Sequence, residues 1–151
     1  SNGAACVSAT DISKVAVENI KINAQLHELD MQVYLGNVFD PLPEGEKFDV
    51  IFWNHPFNYT ENAGDLTDEL AFSVFDLGYE CLRQYLKQSI SKIALGGRVL
   101  LGTGNIARIN KIKEIASESD LKMDLIVKKE VDISSKSTTQ MDLRIYSISN
   151  K

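Results

Sequence analysis

The chemistry-bearing segment of this sequence is Asn54-His55-Pro56-Phe57, set directly behind the apolar run Phe48 to Trp53. Proline at 56 disfavours the helical conformation at His55, so the chain should run extended through the turn. An extended turn aims the Asn54 side chain and the His55 carbonyl in a common direction. Two oxygen acceptors so placed can hold both hydrogens of an –NH2 group and leave the nitrogen lone pair facing an electrophile. Phe57 adds a flat face on which a planar amide or base can stack. Such a site works by positioning and by accepting charge that grows on nitrogen. The same residues also read as a strand-terminating turn followed by a core phenylalanine. The His55 imidazole is a second candidate, as a general base near neutral pH. The other histidine, His27, lies on a predicted helix far away in sequence. With no His–carboxylate constellation visible, the backbone carbonyl and shape of His55 are favoured over its ring.

Two more positions stand at predicted strand ends. Asp11 follows the β-leaning run Cys6 to Thr10. Its carboxylate can accept from both hydroxyls of a ribose, or it can cap the helix that follows. Asn37 follows the predicted strand Met31 to Leu35. Its amide is both donor and acceptor and suits the edge of an adenine; it also suits a turn.

The elements that must position these residues follow from periodicity. Ser13 caps a predicted helix running to about Leu29, with Val17, Ile20 and Ala24 at helical spacing. The Phe48–Trp53 run is almost continuously apolar and reads as a strand buried on both faces. Residues 54–68 read as irregular. A helical region is expected from Glu69 to Ile93, broken near Gly78 and ended by Leu95-Gly96-Gly97, with a strand over Arg98 to Leu101. Gly102-Thr103-Gly104-Asn105 reads as a loop with Asn105 capping a helix from Ile106 to Ser119. Strands over Leu121–Ile133 and Met141–Ile148 close the chain, joined by a polar loop over Ser134–Thr139. The order β-α-β-β-α-β-α-β-β predicts an α/β layered fold, its sheet mainly parallel with an antiparallel C-terminal hairpin. In such sheets ligands bind outside the carboxyl ends of the strands, at Asp11, Asn37, Asn54 onward and Thr103 onward.

The 151 residues suit one ordinary domain. They are 44% hydrophobic and 25% charged, which argues against intrinsic disorder. No apolar run approaches the roughly 18 residues that span a bilayer. Sixteen Lys and Arg against 21 Asp and Glu give a net charge of −5, a poor balance for nonspecific nucleic-acid binding. The basic concentration at Arg108, Lys111 and Lys113 reads as a solvated helix face. Cys6 and Cys81 sit in apolar surroundings without CxxC spacing. They read as buried reduced thiols of a cytoplasmic protein, with neither a disulfide framework nor a metal site expected.

Together these segments resemble class I S-adenosylmethionine-dependent methyltransferases. Val7-Ser8-Ala9-Thr10-Asp11-Ile12-Ser13 with Ala16-Val17-Glu18-Asn19 and Asn23 looks like their second strand and helix. Gly36-Asn37-Val38-Phe39-Asp40-Pro41-Leu42 resembles their G-D-x-F-x-P-L segment, and Phe48 to Phe57 resembles F-D-x-I-x-x-N-P-P-[YF]. Leu95 to Leu101 looks like the entry to their fifth strand. The N-P-P-[YF] type is similar to release-factor glutamine methyltransferases and to enzymes that methylate exocyclic amines of bases. Asn37 stands where the family has an acidic residue, and His55 stands where it has the first proline.

The resemblance implies S-adenosylmethionine as cofactor and a Rossmann-like sheet. It implies that Asp11 binds the ribose, Ile12 packs on the adenine, Asn37 meets the adenine amine, and Val38 donates a backbone N–H. Asn54 and the His55 carbonyl, held by Pro56, would grip the target nitrogen while Phe57 stacks on it. The substrate expected first is a glutamine amide of a protein, then a base amine of RNA or DNA; a non-catalytic nucleotide-fold interaction module is the alternative of another class. The family's first strand and glycine-rich loop should precede residue 5. The expectation is therefore a single N-terminally truncated methyltransferase domain over 1–151, and a homo-oligomer if another chain supplies that strand.

Overall fold

Ser13 starts the first helix. Its hydroxyl accepts from the Ala16 N–H at 3.3 Å, the cap that the sequence leads one to expect. The computed structural model describes residues 3–68, 70–132 and 140–151, so the expected loop over 134–139 lies outside the described residues. Helix α1 (Lys14–Leu26) joins strand β1 (Val7–Asp11) to strand β2 (Met31–Leu35), and the two strands pair in parallel with Asp11 opposite Leu35. Val17 and Ala24, two turns apart, are its buried residues. The helix stops at Leu26 rather than near Leu29, because His27 caps it and Glu28 turns left-handed at φ 51°. Asp11 is the last residue of β1 rather than the residue after it. These elements belong to the first of two compact units, Ser1–Glu46 and Lys47–Lys151.

The second unit is built on a four-stranded sheet ordered β3-β6-β8-β7, from β3 (Phe48–Asn54), β6 (Ile93–Gly104), β7 (Leu121–Asp132) and β8 (Gln140–Asn150). β3 and β6 run parallel; β6–β8 and β8–β7 are antiparallel. This sheet is mixed, not mainly parallel: the C-terminal hairpin inserts β8 beside β6 and contributes two of the three pairings. Helix α2 (Glu80–Lys92) buries Leu82, Tyr85, Leu86 and Ser89, one stripe at spacings of three and four, and packs against β6. Helix α3 (Ile109–Glu118) buries Ile112, Ile115 and Ala116 and packs against β7. Val99, Leu101, Tyr146 and Ile148 complete the core. No described helix is long and apolar enough to cross a membrane.

Several expectations are corrected. β3 is not buried on both faces. Only Ile51 is buried, while Val50 and Phe52 are more than half exposed, because among the described residues β3 is bonded to β6 alone and forms a sheet edge. The first half of the expected long helix is absent. A 3-10 turn at Ala71–Ser73 leads instead into strand β5 (Phe75–Leu77), which pairs in parallel with β4 (Asn58–Thr60). That short strand returns Asp76 to the head of α2, where its two carboxylate oxygens accept from the Cys81 and Leu82 N–H groups at 3.1 and 2.9 Å. Gly102, Thr103 and Gly104 are no loop: they extend β6, opposite Ile145, Arg144 and Leu143 of β8. Asn105 caps no helix. It exchanges bonds with the Asp142 backbone at 3.1 and 3.2 Å, and α3 begins only at Ile109. Cys6 is exposed and Cys81 half-buried; neither forms a disulfide among the described residues, and burial pushes the Cys81 thiol up to about 11.

Candidate active site

Asn54 ends β3, and Pro56 admits no helix behind it: residues 55–57 run irregularly into β4. The His55 side chain turns inward and is 1% exposed. Its Nε2 lies 3.0 Å from the Thr103 hydroxyl, and its ring is flanked by Trp53, Phe57 and Tyr79 at centroid distances of 5.9, 5.8 and 5.6 Å. Burial lowers its pKa to about 4; the nearby Pro56 carbonyl opposes this weakly, without a well-aligned bond to Nδ1. The imidazole is thus neutral at pH 7 and part of an aromatic core.

Tyr79 ties this turn to the start of α3. It sits in the left-handed region at φ 56°, costly for a residue with a side chain. Its hydroxyl donates to the Phe57 carbonyl at 2.8 Å and accepts from the Arg108 N–H at 3.1 Å. Burial pushes the phenol pKa up, so the proton stays on. The Tyr79 ring meets Tyr59 edge-on at 5.0 Å, and the Arg108 guanidinium lies 4.2 Å above Tyr59. Arg108 is therefore engaged on an aromatic ring rather than merely solvated, while Lys111 pairs with Glu114 at 3.1 Å. Tyr79→Phe is expected to leave the Phe57 carbonyl and the Arg108 N–H without their shared partner. The expected cost is about 1–3 kcal/mol, read from urea unfolding; an unchanged midpoint would show that the bonds carry no stability.

Beside the turn lies an open cleft of about 220 Å³, lined by Asn54, His55, Phe57, Asn58, Ser73, Val74 and Ile106. None of these is a cation or a carboxylate. Polar groups come from Asn54, Asn58 and Ser73; Phe57, Val74 and Ile106 supply apolar walls. The turn residues stood out in the sequence. Ser73, Val74 and Tyr79 did not, because only folding brings them to the turn; Asn58, Thr103 and Ile106 fell only within the broad stretches behind predicted strand ends.

The other candidate residues meet in the first unit, at the carboxyl ends of β1 and β2. The Gly36 N–H donates to the Asp11 carbonyl at 2.9 Å, which brings Asp11 beside Gly36-Asn37-Val38. Asp11 is half-buried. Its Oδ1 accepts from the Ser13 N–H at 2.8 Å, so one carboxylate oxygen orders the helix start and Oδ2 remains available. Ile12 is 53% exposed. Val38 adopts φ 45°, rare for a β-branched residue, and is held there by the Thr10 hydroxyl on its carbonyl at 2.7 Å. Its own N–H has no acceptor among the described residues. A carboxylate oxygen, an exposed aliphatic side chain, an amide and an orphan N–H at the same strand ends form a donor and acceptor set that fits a nucleoside.

Solved structures share this fold. The ribosomal protein L11 methylase of Lactobacillus delbrueckii subsp. bulgaricus superposes with a TM-score of 0.63 at 20% identity, over 99% of this chain and 60% of that one. A methyltransferase from Pyrococcus furiosus gives 0.60 at 18% identity, over 93% and 61%. SMU.776, a methyltransferase complexed with SAH, gives 0.61 at 13% identity, over 96% and 40%. The fold is that of the class I S-adenosylmethionine-dependent methyltransferases. Residues 1–100 match the methyltransferase small domain, and the chain belongs to that family. It is also 49% identical over 63 residues to the release factor glutamine methyltransferase of Aquifex aeolicus (strain VF5), a match spanning 40% of this chain and 22% of that relative.

Proposed function

We propose that the protein methylates a planar nitrogen, and that its acceptor is a glutamine side-chain amide of a protein. The observation that carries this reading is the uncharged cleft beside Asn54 and Phe57. A primary amide needs an acceptor pair and a flat wall, which the Asn54 amide oxygen, the His55 carbonyl and the Phe57 ring supply. A nucleic-acid strand would need cations along its phosphates, and none of the described residues lining this cleft is one. The partial likeness to a glutamine methyltransferase supports the same acceptor. S-adenosylmethionine, when bound, supplies the electrophilic methyl group. Asp11 would accept from the ribose hydroxyls through Oδ2, Ile12 would cover the adenine face, and the Asn37 amide and Val38 N–H would meet its polar edge. Asn54 and His55 would fix the acceptor nitrogen and take up the charge that grows on it, while Phe57 and Val74 would supply apolar walls for the side chain.

Calorimetry tests the cofactor half. S-adenosylmethionine should bind the wild-type chain, and Asp11→Ala should weaken it about tenfold, the worth of hydrogen bonds to a charged group. Equal affinity in the two proteins would overturn the assignment of Asp11. Labelled-methyl transfer to a glutamine-containing peptide and to an adenine-containing oligonucleotide tests the acceptor; incorporation into the oligonucleotide alone would overturn the amide reading.

A further inference from the structure

The structure assigns to three consecutive residues of β6, Gly102, Thr103 and Gly104, the positioning of the transfer turn. Successive strand residues face opposite sides, so Gly102 and Gly104 share one face and Thr103 takes the other. Gly102 is the register partner of Asn54. A Cβ at 102 would stand 2.8 Å from Asn54 Oδ1 and 3.1 Å from Phe52 Cζ. A Cβ at 104 would stand 3.0 Å from Phe57 Cε2 and 2.9 Å from the Asp142 carbonyl oxygen. Neither glycine is among those with positive φ, so their backbone does not demand glycine; at 104 the Asp142 backbone oxygen leaves no room for a Cβ, and at 102 a Cβ would force the Asn54 amide to move. On the opposite face the Thr103 hydroxyl meets His55 Nε2 at 3.0 Å. Each turn side chain thus has its own seat: Asn54 on Gly102, His55 on Thr103, Phe57 on Gly104. All three seats are buried and paired to β8, and Gly102 is paired to β3 as well.

This rests on the reading of Asn54 as the gripping amide, and adds that the missing side chain at 102 sets where the amide stands. A double-mutant cycle in urea tests it without any acceptor. Asn54→Ala removes the oxygen that a methyl at 102 would strike. Gly102→Ala should therefore lower the folding equilibrium constant at least about tenfold less in the Asn54→Ala background than in the wild type. If Gly102→Ala fails to fold alone, recovery in that background is the same result. An equal loss in both backgrounds, or no folding in either, overturns the proposal.

Turnover gives the second readout. With labelled-methyl transfer to the glutamine peptide, Gly102→Ala should lower kcat about 100-fold, with S-adenosylmethionine affinity unchanged. Gly97→Ala is the control: its Cβ would stand 2.8 Å from the Asp49 carbonyl, in the same strand pair but at the far end from the turn. It should cost stability and leave the kcat of folded protein intact. Equal kcat losses in the two variants would mark general strain and overturn the positioning role. An inactive wild-type protein counts against the acceptor reading alone, and the unfolding cycle then decides this one.

Discussion

Asn54→Ala is expected to abolish methyl transfer, by about 10³-fold or more, while the affinity for S-adenosylmethionine stays within about twofold. The separation follows from the proposed roles, which rest on different residues. The cofactor candidates Asp11, Ile12, Asn37 and Val38 stand at the ends of β1 and β2, whereas Asn54 ends β3 in the other compact unit. Alanine removes one of the two oxygens proposed to hold the acceptor –NH2. A group whose interaction strengthens as charge develops on nitrogen acts on the transition state more than on the bound substrate. Its loss should therefore appear in kcat, with about 4 kcal/mol corresponding to the thousandfold drop. The fold should tolerate the change, since the Asn54 side chain is exposed. Titration calorimetry beside single-turnover transfer checks both halves; lost cofactor binding with intact turnover would reverse the assignment.

The second large effect is on stability against pH. The ordinary histidine pKa of 6.5 falls to about 4 at His55 because burial penalises the charged ring. A group depressed in the folded state binds its proton more readily when the chain unfolds. Stability from the neutral ring is therefore complete above pH 6.5 and is lost as pH falls toward 4. The difference of the two values corresponds to roughly 3 kcal/mol across that window. Other groups titrate there too, so the comparison is with His55→Gln, which keeps a polar side chain near Thr103 and has no proton to take. Urea midpoints at pH 7 and pH 4.5 should fall much further in the wild type than in the variant. Parallel slopes would mean that His55 is solvated or paired in a way its 1% exposure denies.

What the sequence disclosed divides along the range of the interactions. Ser13, the α1 stripe and the β2 limits were legible within a few residues, because a cap and a helical period are local. The turn at 54–57 was legible because proline constrains its neighbour directly. Gly102 to Gly104 was misread as a loop because two glycines in four residues suggest a turn, and their strand partners lie some 40 residues on in β8. β5 was misread as helix for the same reason: its partner β4 precedes it across a long irregular stretch. The burial of His55 was equally hidden, since Thr103 and Tyr79 reach it only after β6 and α2 are in place.

One wall of the cleft stands apart from the rest. Ser73 and Val74 close a 3-10 turn outside the four-stranded sheet, fastened by the Asn58 N–H on the Val74 carbonyl at 3.2 Å and, beyond, by Asp76 at the head of α2. The turn at 54–57 is seated against β6, a strand bonded to two neighbours, while this wall hangs from bonds outside the sheet. Replacing residues 71–74 should therefore reshape this wall while leaving the pairing of β3 with β6 in place. On the proposed reading, this wall of the acceptor cleft and the transfer turn at 54–57 therefore lie on separate stretches of the chain.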